Sequence, residues 1–91
     1  MSNFTVKVPQ KFTFASHREM AQPLQAVKAT GTPSEIFLDF IETSYLDSSA
    51  LGMLLLWKDK NPDIKLILKN CKGTVSEILK IANFHKLFTI C

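Results

Sequence analysis

The tripeptide Asp47-Ser48-Ser49 sets a carboxylate beside two hydroxyls, directly ahead of an apolar run that extends from Ala50 to Trp57. Such a group can act as a hydrolytic nucleophile or cap a helix. A serine nucleophile needs a strained elbow and a base. The serines here lie in L-D-S-S-A, not in G-x-S-x-G. The two histidines, His17 and His85, stand singly in separate helical segments and read as polar residues near helix ends. Neither has a second ligand three or four residues away, so no metal site is expected. Gly31, Gly52 and Gly73 are isolated, and no GxxxxGK[ST] loop is present to cradle a nucleotide. Asp39, the one charge within an apolar strand, reads as a strand-end carboxylate or a partner for lysine. No enzyme and no cofactor is therefore expected. Helix capping is the reading that the tripeptide itself supports. Asp and Ser are preferred N-cap residues because their oxygens accept free backbone N–H groups.

The elements that must position this turn follow from periodicity. Phe4, Val6 and Val8 alternate with polar residues and predict a half-buried strand ended by Pro9, with Phe12 and Phe14 continuing the alternation briefly. Ser16 stands three residues before Glu19, a capping-box spacing, and Met20, Leu24 and Val27 then share one helical face. Pro23 restricts that helix, and Gly31 and Pro33 stop it. Ile36 to Ile41 is almost continuously apolar and predicts a strand covered on both faces. A loop from Ile41 to Ser48 leads to a helix ended by Asn61 and Pro62. Ile64, Leu66 and Leu68 predict another inner strand. Thr74 and Glu77 form a second capping box, ahead of a helical face of Val75, Ile78, Leu79 and Ala82. Leu87 to Ile90 predicts a short last strand. Alternating strands and helices imply an α/β domain over residues 1–91, with a mainly parallel sheet of about four to five strands and helices packed on it. In such sheets the working residues gather at the C-terminal ends of the strands, which makes the Ile41–Ser48 loop the candidate site.

Bulk properties exclude other classes. The net charge is +3, and ten of the eleven basic residues are lysines scattered along the chain, with Arg18 the one arginine. Base reading needs Arg forks or interleaved aromatics along one stripe, so no nucleic acid partner is expected. Met53 to Trp57 is far too short to span a membrane, and residues 1–10 carry no secretory pattern. Cys71 and Cys91 lack the spacing of a metal site or a disulfide scaffold, and a reducing cytoplasm is the expected compartment.

Residues 38–55, LDFIETSYLDSSALGMLL, resemble the signature of the STAS family, which includes the bacterial anti-sigma-factor antagonists. In that family an apolar strand leads to an aromatic-Leu/Met-Asp-Ser-Ser/Thr-Gly-Leu-Gly turn and a helix. Tyr45, Asp47, Ser48, Ser49, Leu51 and Gly52 match it. Three departures stand out. Ala50 replaces the frequent glycine. The segment Lys11 to Phe14 reads KFTF, without the acid usual before the first helix. The sequence also stops at Cys91, where the family's last helix is expected to be short or absent.

The resemblance implies a partner-switching protein, not an enzyme. The serine after the aspartate, Ser48, would be phosphorylated by a serine/threonine kinase and restored by a PP2C-type phosphatase, with Ser49 as the fallback. The unmodified form would bind an anti-sigma factor or related regulator. The expected docking surface comprises Asp47, Ser49 and Gly52, with Met53 and Leu56 pointing away from the core face of the helix. Leu51, Leu54 and Leu55 are expected in the core. The alternative, also implied by the resemblance, is a cytoplasmic STAS accessory subunit of an ABC-type lipid transporter.

Overall fold

The computed structural model describes residues 3–16, 18–20 and 35–91. Strand β1 (Asn3–Lys7) is followed by the two-residue β2 (Lys11–Phe12) and a 3-10 turn, Phe14–Ser16. Then come β3 (Glu35–Asp39), β4 (Tyr45–Leu46), helix α1 (Ser48–Lys60), β5 (Lys65–Lys69), helix α2 (Gly73–Ile81), a 3-10 turn Phe84–Lys86, and β6 (Thr89–Ile90). The sheet has four parallel strands in the order β1-β3-β5-β6, and β2 and β4 form a separate parallel pair. Residues 18–20 are helical. The rest of the helix expected through Val27, with Pro23 and His17, lies outside the described residues.

Register explains how the sheet sorts its side chains. Phe4, Ile36 and Leu66 form one row, and Val6, Leu38, Leu68 and Ile90 the next. Except for the half-buried Phe4 and Ile90, these side chains are buried. The opposite face carries the row Thr5, Phe37, Ile67, Thr89 and the row Lys7, Asp39, Lys69. Glu35, Phe37 and Asp39 are only half-buried, so β3 is not covered on both faces as its apolar run suggested. The ammonium of Lys69 instead lies 5.5 Å from the centre of the Phe37 ring, shielding it from outside. Successive right-handed crossovers that step one way across a sheet keep their helices on one side. The buried cluster fits this: it takes residues of both helices and the inward rows, and leaves out Ile67.

Helix α1 buries Ala50, Met53, Leu54 and Trp57, an i, i+3, i+4, i+7 set. Trp57 stacks on Phe12, with ring centres 6.2 Å apart and planes 18° apart, and Phe12 also meets Phe40 at 6.0 Å. Phe12 is wholly buried. The segment after β1 is thereby fixed against both α1 and the end of β3. The second expected capping box does not form. Gly73, at φ 56°, makes a left-handed turn that suits a residue without a β-carbon. Helix α2 starts there, Thr74 falls inside it, and Lys72 holds the cap position without a side-chain bond. Ser16 directs its hydroxyl back along the chain, donating to the Lys11 carbonyl at 2.8 Å and accepting from the Thr13 N–H at 3.2 Å.

Candidate functional site

Three segments converge at the C-terminal edge of the sheet. The Val8 N–H donates to the Asp39 carbonyl at 2.9 Å, and the Phe40 N–H to the Lys69 carbonyl at 3.0 Å, so the pairing runs on past the strand ends. Thr43 is buried, and its hydroxyl is within bonding distance of the Pro9 carbonyl at 3.0 Å and the Val8 carbonyl at 3.3 Å. The Gln10 carbonyl accepts from the N–H groups of Ser44 and Tyr45. The β2–β4 pairing, Lys11 with Tyr45 and Phe12 with Leu46, completes this clamp and delivers the chain to Asp47. Lys11 thus lies beside the loop, in the segment where the family pattern carries an acid.

Asp47 is the N-cap of α1. Its Oδ1 accepts from the Ala50 N–H at 3.0 Å and from the Ser49 hydroxyl at 2.7 Å. The Ser49 hydroxyl, then the Ala50 N–H, hold its carboxyl below the usual carboxylate value. The turn therefore carries a fixed negative charge at neutral pH. Ser48 is the first residue of the helix and is exposed, and Ser49 is half-buried.

At 100° per residue, Ser48, Gly52, Leu55 and Asp59 fall on one side of α1, with Leu56 at its margin, opposite the core set. All five are exposed, Leu55 to 37% and Leu56 to 44%. A β-carbon built on Gly52 would meet nothing within 4 Å, so internal packing does not demand glycine there. Tyr45, 49% exposed, adds an aromatic ring just before the turn. The structure brings Asp47, Ser48, Ser49, Gly52 and Leu56 together at the start and outer side of one helix. It corrects the expected roles of two neighbours. Met53 is 5% exposed and belongs to the core, whereas Leu55 turns outward. Leu51 packs only partly against the core. The spacing of Leu55, seven residues after Ser48, is the signal that places it beside the serine.

Other candidate residues lie elsewhere. His85 is exposed in the 3-10 turn Phe84–Lys86. Asp39 ends β3, and its carboxylate accepts from the Asn70 side-chain amide at 2.7 Å and the Ile41 N–H at 3.0 Å. A cleft lined by Lys58, Asn61, Lys65 and Lys86 lies at the C-terminal end of α1, the far end from the serine turn. Among the described residues no group of three or more His, Cys, Asp or Glu is placed to hold a metal ion, and no helix is long and apolar enough to cross a membrane.

Comparison with known proteins gives one consistent result. The model of the STAS domain matches residues 2–91. A STAS-domain containing protein of Pseudomonas aeruginosa (strain UCBPP-PA14) is 38% identical over 88 residues, covering 94% of this chain and 85% of that protein. The fold is similar to the crystal structure of a sulfate transporter family protein from Wolinella succinogenes. The TM-score is 0.80 at 13% identity, over 96% of this chain and 71% of that one.

Proposed function

Because the chain belongs to the STAS family, we propose that it is a cytoplasmic, non-enzymatic binding protein of the anti-sigma-factor-antagonist type, switched by reversible phosphorylation of Ser48. Its partners on this reading are an anti-sigma factor or serine/threonine kinase of a partner-switching system, and a PP2C-type phosphatase. The observation that carries the reading is the division of labour in the turn. Asp47 makes the helix cap, while the Ser48 hydroxyl stands exposed on the side of α1 that presents Gly52, Leu55 and Leu56.

The physics of the switch follows from that division. A phosphate adds about −1.5 to −2 charges at neutral pH. In the first turn of α1 it meets the positive end of the helix dipole, worth about 0.3–1 kcal/mol near the surface. The cap on the Ala50 N–H is untouched, so the fold tolerates the modification. The change is felt by a partner docked on the outer side of α1. That partner gains exposed apolar area from Leu55, Leu56 and Tyr45, and then meets a dianion beside the ionised Asp47. Gly52 lets a partner backbone come close to the helix.

The test is mass spectrometry of the protein from its native cells, with partner capture by the unmodified protein and by Ser48→Asp. The expected result is phosphate on Ser48, and loss of the regulator from Ser48→Asp at an unchanged Tm. Unfolding of that variant, or phosphate on Ser49 alone, overturns the assignment to Ser48. Stable copurification with a transporter ATPase, with Ser48 unmodified, replaces the switch with a transporter-subunit role.

A further inference from the structure

We propose that Cys71 and Cys91 form a peroxide-responsive thiol pair that closes to an intramolecular disulfide and pins the edge strand β6 to β5. The two residues lie just past the ends of neighbouring parallel strands. The last register pair is Leu68 with Ile90. Beyond it the Cys91 N–H donates to the Leu68 carbonyl at 2.8 Å, and the Cys71 N–H donates to the Cys91 carbonyl at 3.4 Å. The backbones of the two cysteines are therefore held side by side. The register of β5 and β6 ends before Cys71, at the left-handed Asn70 (φ 60°), and the direct backbone hydrogen bond between the two cysteines sets their Cα atoms about 5–7 Å apart, near the span of about 4.4–6.8 Å that a disulfide bridges. Both are free thiols, Cys71 half-buried against the core and Cys91 exposed.

Their chemical roles differ. Burial, and then the charge of Cys91, push the Cys71 thiol up to about 11, so it stays protonated at neutral pH. The exposed Cys91 meets the oxidant first. Its sulfur attacks a peroxide oxygen, the O–O bond breaks, and a sulfenic acid forms as one water leaves. The Cys71 sulfur then displaces the sulfenic oxygen. The S–S bond forms, the S–O bond breaks, and the hydroxyl departs with the Cys71 proton as a second water. In sum, two thiols lose two electrons and two protons, and one hydrogen peroxide becomes two waters.

The bridge closes the segment 71–91, which contains α2, the second 3-10 turn and β6. Strand β6 has only two residues and pairs on one side. Cross-linking restricts the unfolded chain and holds this short edge in place, so the oxidised form melts about 10–20 °C higher. The experiment treats the reduced full chain with one equivalent of hydrogen peroxide, followed by intact-mass measurement, thiol alkylation and thermal melting. The expected result is loss of the mass of two hydrogens, protection of both cysteines from alkylation, and a higher Tm that dithiothreitol reverses. Cys71→Ser and Cys91→Ser each abolish all three changes. Disulfides formed only between chains, oxygen added to Cys91 alone, or both thiols still alkylated would overturn the proposal.

Discussion

The Ser49 hydroxyl donates to the Asp47 carboxylate at 2.7 Å, on the same oxygen that accepts the Ala50 N–H. One carboxylate oxygen thus ties the second and third residues of α1 to its cap, and the first residue, Ser48, is left outside that bond pair. The start of the helix depends on Asp47 and Ser49, and so does its response to acid.

Acid should weaken the fold in a defined window. The carboxyl of Asp47 is lowered chiefly by the Ser49 hydroxyl, and that of Asp39 chiefly by the Asn70 amide. A carboxylate depressed in the folded state stabilises it above the unfolded value, near 3.8 for both groups, and that stability is lost as pH falls through the folded value. The Tm should therefore decline below about pH 4. Asp47→Asn keeps a capping oxygen but cannot titrate. Asn70→Gly keeps the φ of 60° but removes the donor. Each should flatten the acid limb of a Tm-against-pH curve, and an unchanged limb in both variants would refute the linkage.

Gly52→Ala should stabilise the protein while weakening docking. Glycine inside a helix costs about 0.5–1 kcal/mol relative to alanine, and a β-carbon at this position has open space. Urea denaturation should show an unfolding free energy higher by that amount, seen as a later midpoint at unchanged m. Affinity for the partner captured in native cells should fall.

Adjacent leucine and methionine positions on α1 should separate binding from stability. Met53→Ala removes a buried side chain and should cost about 2–5 kcal/mol. Leu55→Ser and Leu56→Ser alter exposed positions and should change stability by less than about 1 kcal/mol while reducing partner capture. Equal stability losses at all three positions would show that the outer side of α1 is not open.

Phe12→Ala should be among the most damaging substitutions. The ring is fully buried between Phe40 and Trp57, and losing it should cost about 3–5 kcal/mol. Because β2 supports β4, the same variant should also speed amide exchange at Tyr45 and Leu46.

Much of this arrangement was legible in the sequence because periodicity records burial. The strands at Phe4–Val8, Ile36–Ile41 and Ile64–Leu68, the cap at Asp47 and the helix stop at Asn61 all appear near their expected places. What was not legible has physical causes. Strands of two residues, such as β2 and β4, carry no period to read. The segment from Leu51 to Trp57 is apolar on nearly every side, so its composition does not fix which side faces inward. The tight stack of Trp57 on Phe12 does, and it turns Met53 in and Leu55 out. The apolar run of β3 concealed that Phe37, on its outer row, is only half-buried and is screened by a lysine from β5. At α2 the left-handed Gly73 overrode the Thr74–Glu77 spacing.

The all-parallel ladders also govern how the chain reaches its native state. Even the nearest strand partners in sequence, Ile67 with Thr89 and Leu68 with Ile90, are separated by twenty-two positions. No hairpin exists among these strands to nucleate the sheet locally, so loop closure must precede the reward of pairing. Folding is accordingly expected to be slower than in a helical bundle of the same length.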